Sequence, residues 1–233
     1  MRPLFLLAAM PMLVAPASAQ SDSSRRDHGV TVQIDGQPIK QGSGRHVRQS
    51  RPAGAFHTIE LKGAANLEVV TGDPSIEIEA DDNLLDNITT RIEGGTLIVA
   101  TTGSYSTKRA PVVRVSLDEL RAIEASGSGD VQIHALRGGD LSLTGMGSGD
   151  FRADGTVASL RLKLQGSGNA EFSRLKAENA VVTVNGSGYA RIHAEHSLDA
   201  SANGSGDIVY DGPAEKIRLS VNGSAQIRKF DTP

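Results

Sequence analysis

Apolar and polar residues alternate along most of the chain after residue 55, and Gly-Ser-Gly tripeptides interrupt the alternation at regular intervals. Six such corners begin 18 to 20 residues apart, at Gly127, Gly147, Gly166, Gly186, Gly204 and Gly223. Strict alternation predicts β-strands with one buried face. A short fixed period predicts repeat units that stack and bury a common core.

The apolar residues fall in the same columns in every repeat. The residues four and two positions before each first glycine are Ile123/Ala125, Leu143/Gly145, Leu162/Leu164, Val182/Val184, Ala200/Ala202 and Leu219/Val221. The sixth residue before and the sixth residue after each first glycine are apolar or aromatic as well. The exceptions are Arg121 before the first corner and Lys229 after the last one. Phe and Ala exchange places between Phe151/Ala153 and Ala170/Phe172, as an interior of fixed volume requires. The pattern predicts an all-β fold, a right-handed parallel β-solenoid with coils of about 19 residues and Gly-Ser-Gly corners.

The corner residues predict how the coils hold together. Glycine permits backbone angles with positive φ and close approach of neighbouring coils. The corner serines, Ser128 in the first repeat, can bond to adjacent backbone or to one another. Asn185, Asn203 and Asn222 precede three successive corners, and we expect them to stack as an asparagine ladder. At the last corner Ala225 replaces the third glycine, which predicts a terminal coil of altered geometry.

The N-terminal half carries a weaker version of the same pattern. Alternating, β-branched segments predict strands within residues 57–117. Residues 63–69 resemble residues 127–133 at an offset of 64, about three repeat lengths. We therefore expect residues 54–122 to form degenerate, longer coils and residues 123–230 to form regular ones.

The first 53 residues are expected to lie outside the solenoid. Residues 1–19 have the basic start, short apolar run and small-residue cleavage site of a signal peptide, which predicts export to the periplasm or cell surface. Residues 20–53 are polar and basic and predict a solvated linker or, alternatively, an arm that contacts anionic envelope material. Within it, Val30–Ile34 before Asp35-Gly36 predicts a small hairpin.

Composition excludes some classes of function. The net charge of -3 provides no bulk field for nucleic acid or an acidic membrane. The chain has no cysteine and therefore no disulfide, no thiolate metal site and no cysteine for lipid attachment. Aromatic residues make up 3% with no tryptophan, although sugar-binding surfaces usually depend on exposed aromatic rings.

Two ligand classes could use the glycine corners. A phosphate loop is disfavoured because the corners recur, lack a Lys-Ser/Thr ending and lead into strands. Calcium remains open, because Asp130 and Asp150 follow two adjacent corners and Asp-bearing glycine turns bind calcium in some β-rolls. The alternative is that both are solvated corner residues.

Three further clusters are candidates for chemistry. His193-Ala194-Glu195-His196 is the densest metal-like group, but it lacks zinc-protease spacing, and free surface histidines are the better interpretation. A catalytic carboxylate pair among Asp81, Asp82 and Asp86 lacks a third group or an apolar wall. Arg161 and Lys163, with Arg218 two coils further on, are expected to face outward as ligand contacts or as a solubilising face.

Particular segments of the chain resemble a known family. They are Phe56–Leu61, Asp81–Leu85, Gly94–Ile98, the repeated corners and Gly204–Gly212. In this order they are similar to the auto-transporter adhesin head domain that carries the Gly-Ile-Asn label, the head GIN domain. The resemblance spans about residues 54–230. It implies an exported β-solenoid with an adhesive or binding role and no settled catalytic residues.

These observations favour a non-enzymatic, adhesin-like envelope module that binds envelope polysaccharide or another surface protein. We assign no catalytic, cofactor-binding or metal-ligating residue. One alternative is a carbohydrate-active enzyme, a polysaccharide lyase or hydrolase, on a β-helix, which rests on fold analogy alone. Another is self-association through the open solenoid ends, where the coil around Ile217–Ile227 has an unpaired edge unless Asp231-Thr232-Pro233 caps it.

Overall fold

The computed structural model describes residues 33–34 and 37–230, with side chains from residue 39. The predicted signal peptide and the three terminal residues lie outside the described residues. The strands of the first half are β1 (Gln33–Ile34), β2 (Gln37–Pro38), β3 (Lys40–Gln41), β4 (His46–Arg51), β5 (Thr58–Gly63), β6 (Asn66–Thr71), β7 (Ser75–Asp81), β8 (Ile88–Glu93), β9 (Thr96–Thr101), β10 (Tyr105–Ser106) and β11 (Val112–Leu117). One short 3-10 helix spans Leu85–Asn87.

The second half consists of longer strands. They are β12 (Ala122–Gly127), β13 (Val131–Gly147), β14 (Phe151–Gly166), β15 (Ala170–Gly186), β16 (Tyr189–Gly204), β17 (Asp207–Asp211), β18 (Lys216–Gly223) and β19 (Ile227–Lys229). Each pairs in parallel with the strand one coil away, glycine on glycine, for example Gly147 with Gly166. The predicted parallel β-solenoid is confirmed.

The inward columns form a single apolar core. Leu143, Leu162 and Val182 stack in register and are at most 1% exposed. Phe151 stacks on Ala170, the predicted exchange of large for small. At Gly145 a Cβ would lie 2.6 Å from the Phe151 ring, so the missing side chain makes room for the phenyl group.

A third inward segment completes each coil and was not predicted. Leu136, Gly155 and Leu175 pair in successive coils, and both leucines are at most 2% exposed. The chain turns just before it at Ala135, which has a φ of 51°. Between the two predicted strands, each coil therefore buries additional apolar side chains.

The N-terminal half differs from a simple series of degenerate coils. Strands β5 and β6 do form a coil, with Gly63 opposite Gly127 as the repeat predicts. That coil lies directly against β12 and β13, however, and not three coils away. On its other side it pairs in parallel with β9 and β11, which come later in the chain. The first coil is therefore held between two coils that follow it in sequence.

Antiparallel strands cover this end of the stack. Strand β7 pairs antiparallel with β11, β8 with β9, and β4 with β7. The linker prediction is thus wrong for its last part, because residues 46–51 are a strand of the sheet and β3 pairs with β10. The predicted hairpin is present as the antiparallel pair β1 and β2. Apolar and polar residues alternate too weakly in residues 46–51 to distinguish a strand from a polar tail by sequence.

The last coil is the least buried. Ile217, Leu219 and Val221 occupy inward columns but are 39%, 43% and 45% exposed. The last corner nevertheless keeps the register of the others, with Gly204 opposite Gly223 and Ile208 opposite Ile227. The substitution at Ala225 therefore leaves strand pairing unchanged on both sides of the corner.

Candidate binding face

Two outward columns of the solenoid line a continuous depression, which we call the side groove. The first column lies seven residues before each first glycine and contains Asp140, Ser159, Asn179, Ser197 and Lys216. The second lies five residues before it and contains Ser142, Arg161, Val181, Asp199 and Arg218. Strand register places the members of each column side by side.

The groove is large and polar for most of its length. It comprises adjoining cavities of about 710 and 520 Å³ that share Val181 as a lining residue. No aromatic residue is among those that line them. A ligand would therefore be recognised by hydrogen bonds and charge rather than by ring stacking.

Hydrogen bonds between coils fix part of the groove. The Asn179 amide donates to the carbonyl of Ala158, at 3.5 Å, and accepts from the Ser197 hydroxyl at 2.7 Å. Arg218 lies 3.1 Å from Asp199. These contacts hold polar side chains at a regular interval, as a binding site for a repeating polymer requires.

Arg161 and Lys163 are exposed on the same strand, as predicted. Arg161 lines the groove, and Lys163 lies one outward position further along β14. Register places Arg218 three coils from Arg161, through Val181 and Asp199, one coil more than expected. The prediction that these cations share a face is thus confirmed, and their spacing is corrected.

A second outward surface, which we call the opposite wall, is lined by Gln132, His134, Arg152, Asp154, Glu171 and Arg174. Some of its charges pair with one another. Asp154 lies 3.3 Å from His134 and 3.4 Å from Arg174. The backbone N–H of Ala135, followed by His134 and Arg174, holds the pKa of Asp154 below its ordinary value against desolvation. These three groups therefore satisfy one another, whereas Arg161 in the side groove forms no ion pair with the described residues.

Asp130 and Asp150, the candidate calcium ligands, accept hydrogen bonds from the backbone of the next coil. One Asp130 oxygen accepts the N–H of Asp150 at 3.0 Å, and one Asp150 oxygen accepts the N–H of Asn169 at 3.1 Å. Asn66 does the same for Asp130, and Asp207 for Gln226. The column is therefore a ladder of side-chain to backbone hydrogen bonds.

The histidine cluster is also engaged in protein contacts. His193 Nδ1 lies 2.5 Å from Asp211, and its Nε2 lies 3.0 Å from Glu195. Both ring nitrogens thus face carboxylates, while His196 is exposed to solvent. In the part of the chain that the structure describes, no group of three His, Cys, Asp or Glu side chains could hold a metal ion.

The acidic turn is structural as well. Asp82 accepts hydrogen bonds from Ser43 at 2.5 Å and from Arg45 Nε at 2.7 Å. These two groups hold the pKa of Asp82 below its ordinary value. Asp81 is buried, accepts from the Thr107 hydroxyl at 2.8 Å and lies 3.4 Å from His46. Asp81 and Asp82 therefore contact separate partners and do not form a carboxylate pair.

The asparagine ladder is present where the sequence predicts it. Asn203 Nδ2 donates to Asn185 Oδ1, and Asn222 Nδ2 donates to Asn203 Oδ1, both at 2.9 Å. At the corners the backbone N–H of each serine donates to the first glycine's carbonyl in the preceding coil, for example Ser167 to Gly147 at 2.9 Å.

Among the helices of the described residues, none is long and apolar enough to cross a membrane. Residues 55–214 match the family described as "Putative auto-transporter adhesin, head GIN domain". No curated protein matches the chain.

Solved bacterial structures resemble the fold. A putative adhesin from Bacteroides fragilis is 23% identical with a TM-score of 0.68, over 82% of this chain and 99% of the other. A putative lipid binding protein from Parabacteroides distasonis is 22% identical with a TM-score of 0.48, over 82% and 99% of the two chains. At this level of identity, the Bacteroides structure supports the shared fold.

Proposed function

The chain belongs to the auto-transporter adhesin head GIN domain family, and from that membership we propose an exported, non-enzymatic binding module whose side groove holds an envelope polysaccharide. Residues 1–19 act as the export signal in this proposal, and residues 54–230 form the binding domain. The observation that carries the proposal is the side groove itself, with polar side chains repeated across five coils.

A repeating ligand suits a repeating surface. Each coil presents two outward residues at equivalent positions, so a polymer of matching repeat can contact successive coils, and weak contacts add. Lining side chains with hydroxyl or amide groups, such as Ser159, Asn179 and Ser197, can bond to sugar hydroxyls. Arg161 and Lys163 add positive charge, which favours a polysaccharide with carboxylate or phosphate groups.

A binding role rather than catalysis is supported by the chemistry of the candidate groups. Asp81, Asp82 and Asp154 are each held by neighbouring donors, and His193 lies between two carboxylates. A glycoside hydrolase needs two carboxyl groups facing one bond, with one of their pKa values raised. The pKa values of Asp82 and Asp154 are lowered instead.

The test is to incubate the purified protein with isolated envelope polysaccharide and to measure retained protein and released reducing ends together. We expect retention without product. Release of reducing ends that scales with protein concentration would replace binding by hydrolysis, and a rise in unsaturated ends would indicate a lyase. Absence of retention on acidic and neutral polysaccharides alike would overturn the proposed ligand.

A further inference from the structure

The exposed end of the solenoid at β18 presents an open strand edge beside the side groove, which Lys216, Ile217 and Arg218 of the same strand also line. Ile217, Leu219 and Val221 belong to the inward columns, yet each is about two-fifths exposed because no further coil of the described residues covers them. Among the described strands, β18 pairs with β16 alone. Its second edge therefore combines an apolar column with backbone groups that have no strand partner.

Both properties together favour another strand as the partner. An unpaired strand edge is a template for addition of a further strand, and its open N–H and C=O groups are costly to leave in an apolar setting. A lipid surface could cover the apolar column but could not satisfy the backbone. A strand with apolar residues at alternate positions satisfies both.

We propose that the partner is a second copy of this chain, joined through β18 in an antiparallel pair about a two-fold axis at Leu219. The sequence Lys216–Asn222 is symmetric about that residue in its apolar pattern. Leu219 then faces its symmetry mate, and Ile217 faces Val221 of the other copy. The two cores become continuous across the axis.

The polar residues of β18 are compatible with this register. Lys216 falls opposite Asn222 of the other copy, and Arg218 falls opposite Ser220, so no two like charges are directly opposed. Asn222 uses its amide nitrogen to donate to Asn203, which leaves its carbonyl oxygen to accept from lysine. Arg218 is already neutralised by Asp199 at 3.1 Å.

Two strands end the other side of the stack, β8 in the sheet column that contains β18 and β4 in the neighbouring column. Strand β4 offers only one apolar residue and carries Arg48 and Arg51. Strand β8 has Ile88 and Ile92 at alternate positions, so a head-to-tail contact between β18 and β8 is the competing arrangement. Such a contact does not close and would produce chains of copies, whereas the two-fold contact stops at a dimer. Species larger than a dimer in sedimentation would therefore contradict the two-fold contact.

Single-cysteine variants test the register directly, because the chain has no cysteine of its own. In the proposed dimer the two copies of residue 219 flank the axis, with a Cα separation of about 5.5 Å that a disulfide can span. Leu219→Cys should cross-link rapidly and completely under mild oxidation. Val181→Cys is the matched control, an apolar side-groove position that is 38% exposed, and it should cross-link slowly.

Sedimentation equilibrium provides the second measurement. The unmodified protein should show a concentration-dependent dimer, and Leu219→Asp should weaken it at least about tenfold because it places two carboxylates on either side of the axis. Val181→Asp should leave it unchanged. Residual repulsion between the basic ends should make the dimer tighter at higher salt.

A monomer at every concentration, with equal cross-linking at residues 181 and 219, would overturn the proposal and leave the edge to a strand of a different protein. A dimer that survives Leu219→Asp would place the contact elsewhere. Circular dichroism of each variant separates these outcomes from misfolding. Retention on polysaccharide is scored separately, so the dimer and the binding proposal fail independently.

Discussion

Two kinds of glycine make the corners, for different physical reasons. The first glycine of each regular corner has a φ between 97° and 134°, a region that other residues rarely adopt, and a Cβ there would also lie 2.1 to 2.6 Å from a backbone oxygen of the preceding coil. The third glycine has an ordinary φ, but a Cβ there would lie 2.0 to 2.3 Å from a backbone oxygen of the coil beneath. The sequence predicted the need for glycine, and only the structure separates strain from close approach.

Gly168 is the clearest test of close approach. A Cβ on this residue would be 2.3 Å from the carbonyl oxygen of Gly149, and backbone cannot move aside as a side chain can. We expect Gly168→Ala to destabilise the protein by about 3 kcal/mol in urea unfolding. Gly138→Ala, where no atom lies within 4 Å, is the control and should change stability by less than about 0.5 kcal/mol. Equal stability of the two variants would show that the coils are not in van der Waals contact at the corner.

The asparagine ladder predicts different losses of stability for its members, because they form different numbers of hydrogen bonds. Asn203 takes part in two ladder bonds and Asn222 in one. At about 1 kcal/mol for each bond, Asn203→Ala should lose about 2 kcal/mol and Asn222→Ala about 1 kcal/mol by thermal or urea unfolding. The reverse order of the two losses would contradict the ladder.

At the scale of elements, the inward and outward columns were predictable because a strand has a strict period of two. Leu162 and Lys163 are adjacent, yet one is 1% exposed and the other faces solvent. The third inward segment at Leu136, Leu175 and their neighbours was missed because the chain bends at Ala135 and shifts the period there. The signal available in the sequence was the recurring apolar residue between corners.

The pair Leu162 and Lys163 tests the assignment of columns. Leu162→Asp places an unpaired carboxylate in the core and should cost more than about 4 kcal/mol, enough to abolish cooperative folding. Lys163→Asp changes a solvated side chain and should stay within about 0.5 kcal/mol. Circular dichroism during urea titration distinguishes them, and similar curves for both variants would invalidate the in/out assignment.

At the scale of the whole molecule, the order of the coils could not be read from the sequence. The repeat correctly paired residues 63–69 with residues 127–133, but residues 72–121 depart to form the covering strands and an additional coil. Antiparallel pairing depends on contacts between distant segments whose alternation looks the same as that of parallel strands. The side groove was predicted only as a shared face of cations, because its lining combines residues from five coils whose register only the structure gives.

Ion pairs on the antiparallel strands make acid stability a test of this region. Glu79 is 7% exposed and lies 2.8 Å from Arg114, 3.0 Å from Arg109 and 3.1 Å from Arg48. The hydrogen bond from Arg114, aided by the three positive charges, holds the pKa of Glu79 below its ordinary value of 4.5 despite desolvation.

A lowered carboxylate pKa means that the unfolded chain binds the proton more readily. The stabilisation is therefore fully present above pH 4.5 and is lost as the pH falls from there through the pKa of the folded state. We expect Glu79→Gln to lower stability at neutral pH and to reduce the slope of stability against pH in the acid range. Glu93→Gln, at a carboxylate that is 62% exposed, is the control and should do neither. If Glu79→Gln left the slope of stability against pH unchanged in the acid range, Glu79 would not be a source of the acid sensitivity.

In the proposed function the side groove, and not the opposite wall, binds the polysaccharide. Arg161 and Arg152 are both exposed on β14 but face the side groove and the opposite wall respectively. The decisive measurement is the dissociation constant of Arg161→Glu and Arg152→Glu for an acidic envelope polysaccharide at fixed salt. We expect Arg161→Glu to weaken binding at least about tenfold and Arg152→Glu to stay within about twofold. Equal loss in both variants, or loss in Arg152→Glu alone, would contradict the proposed function.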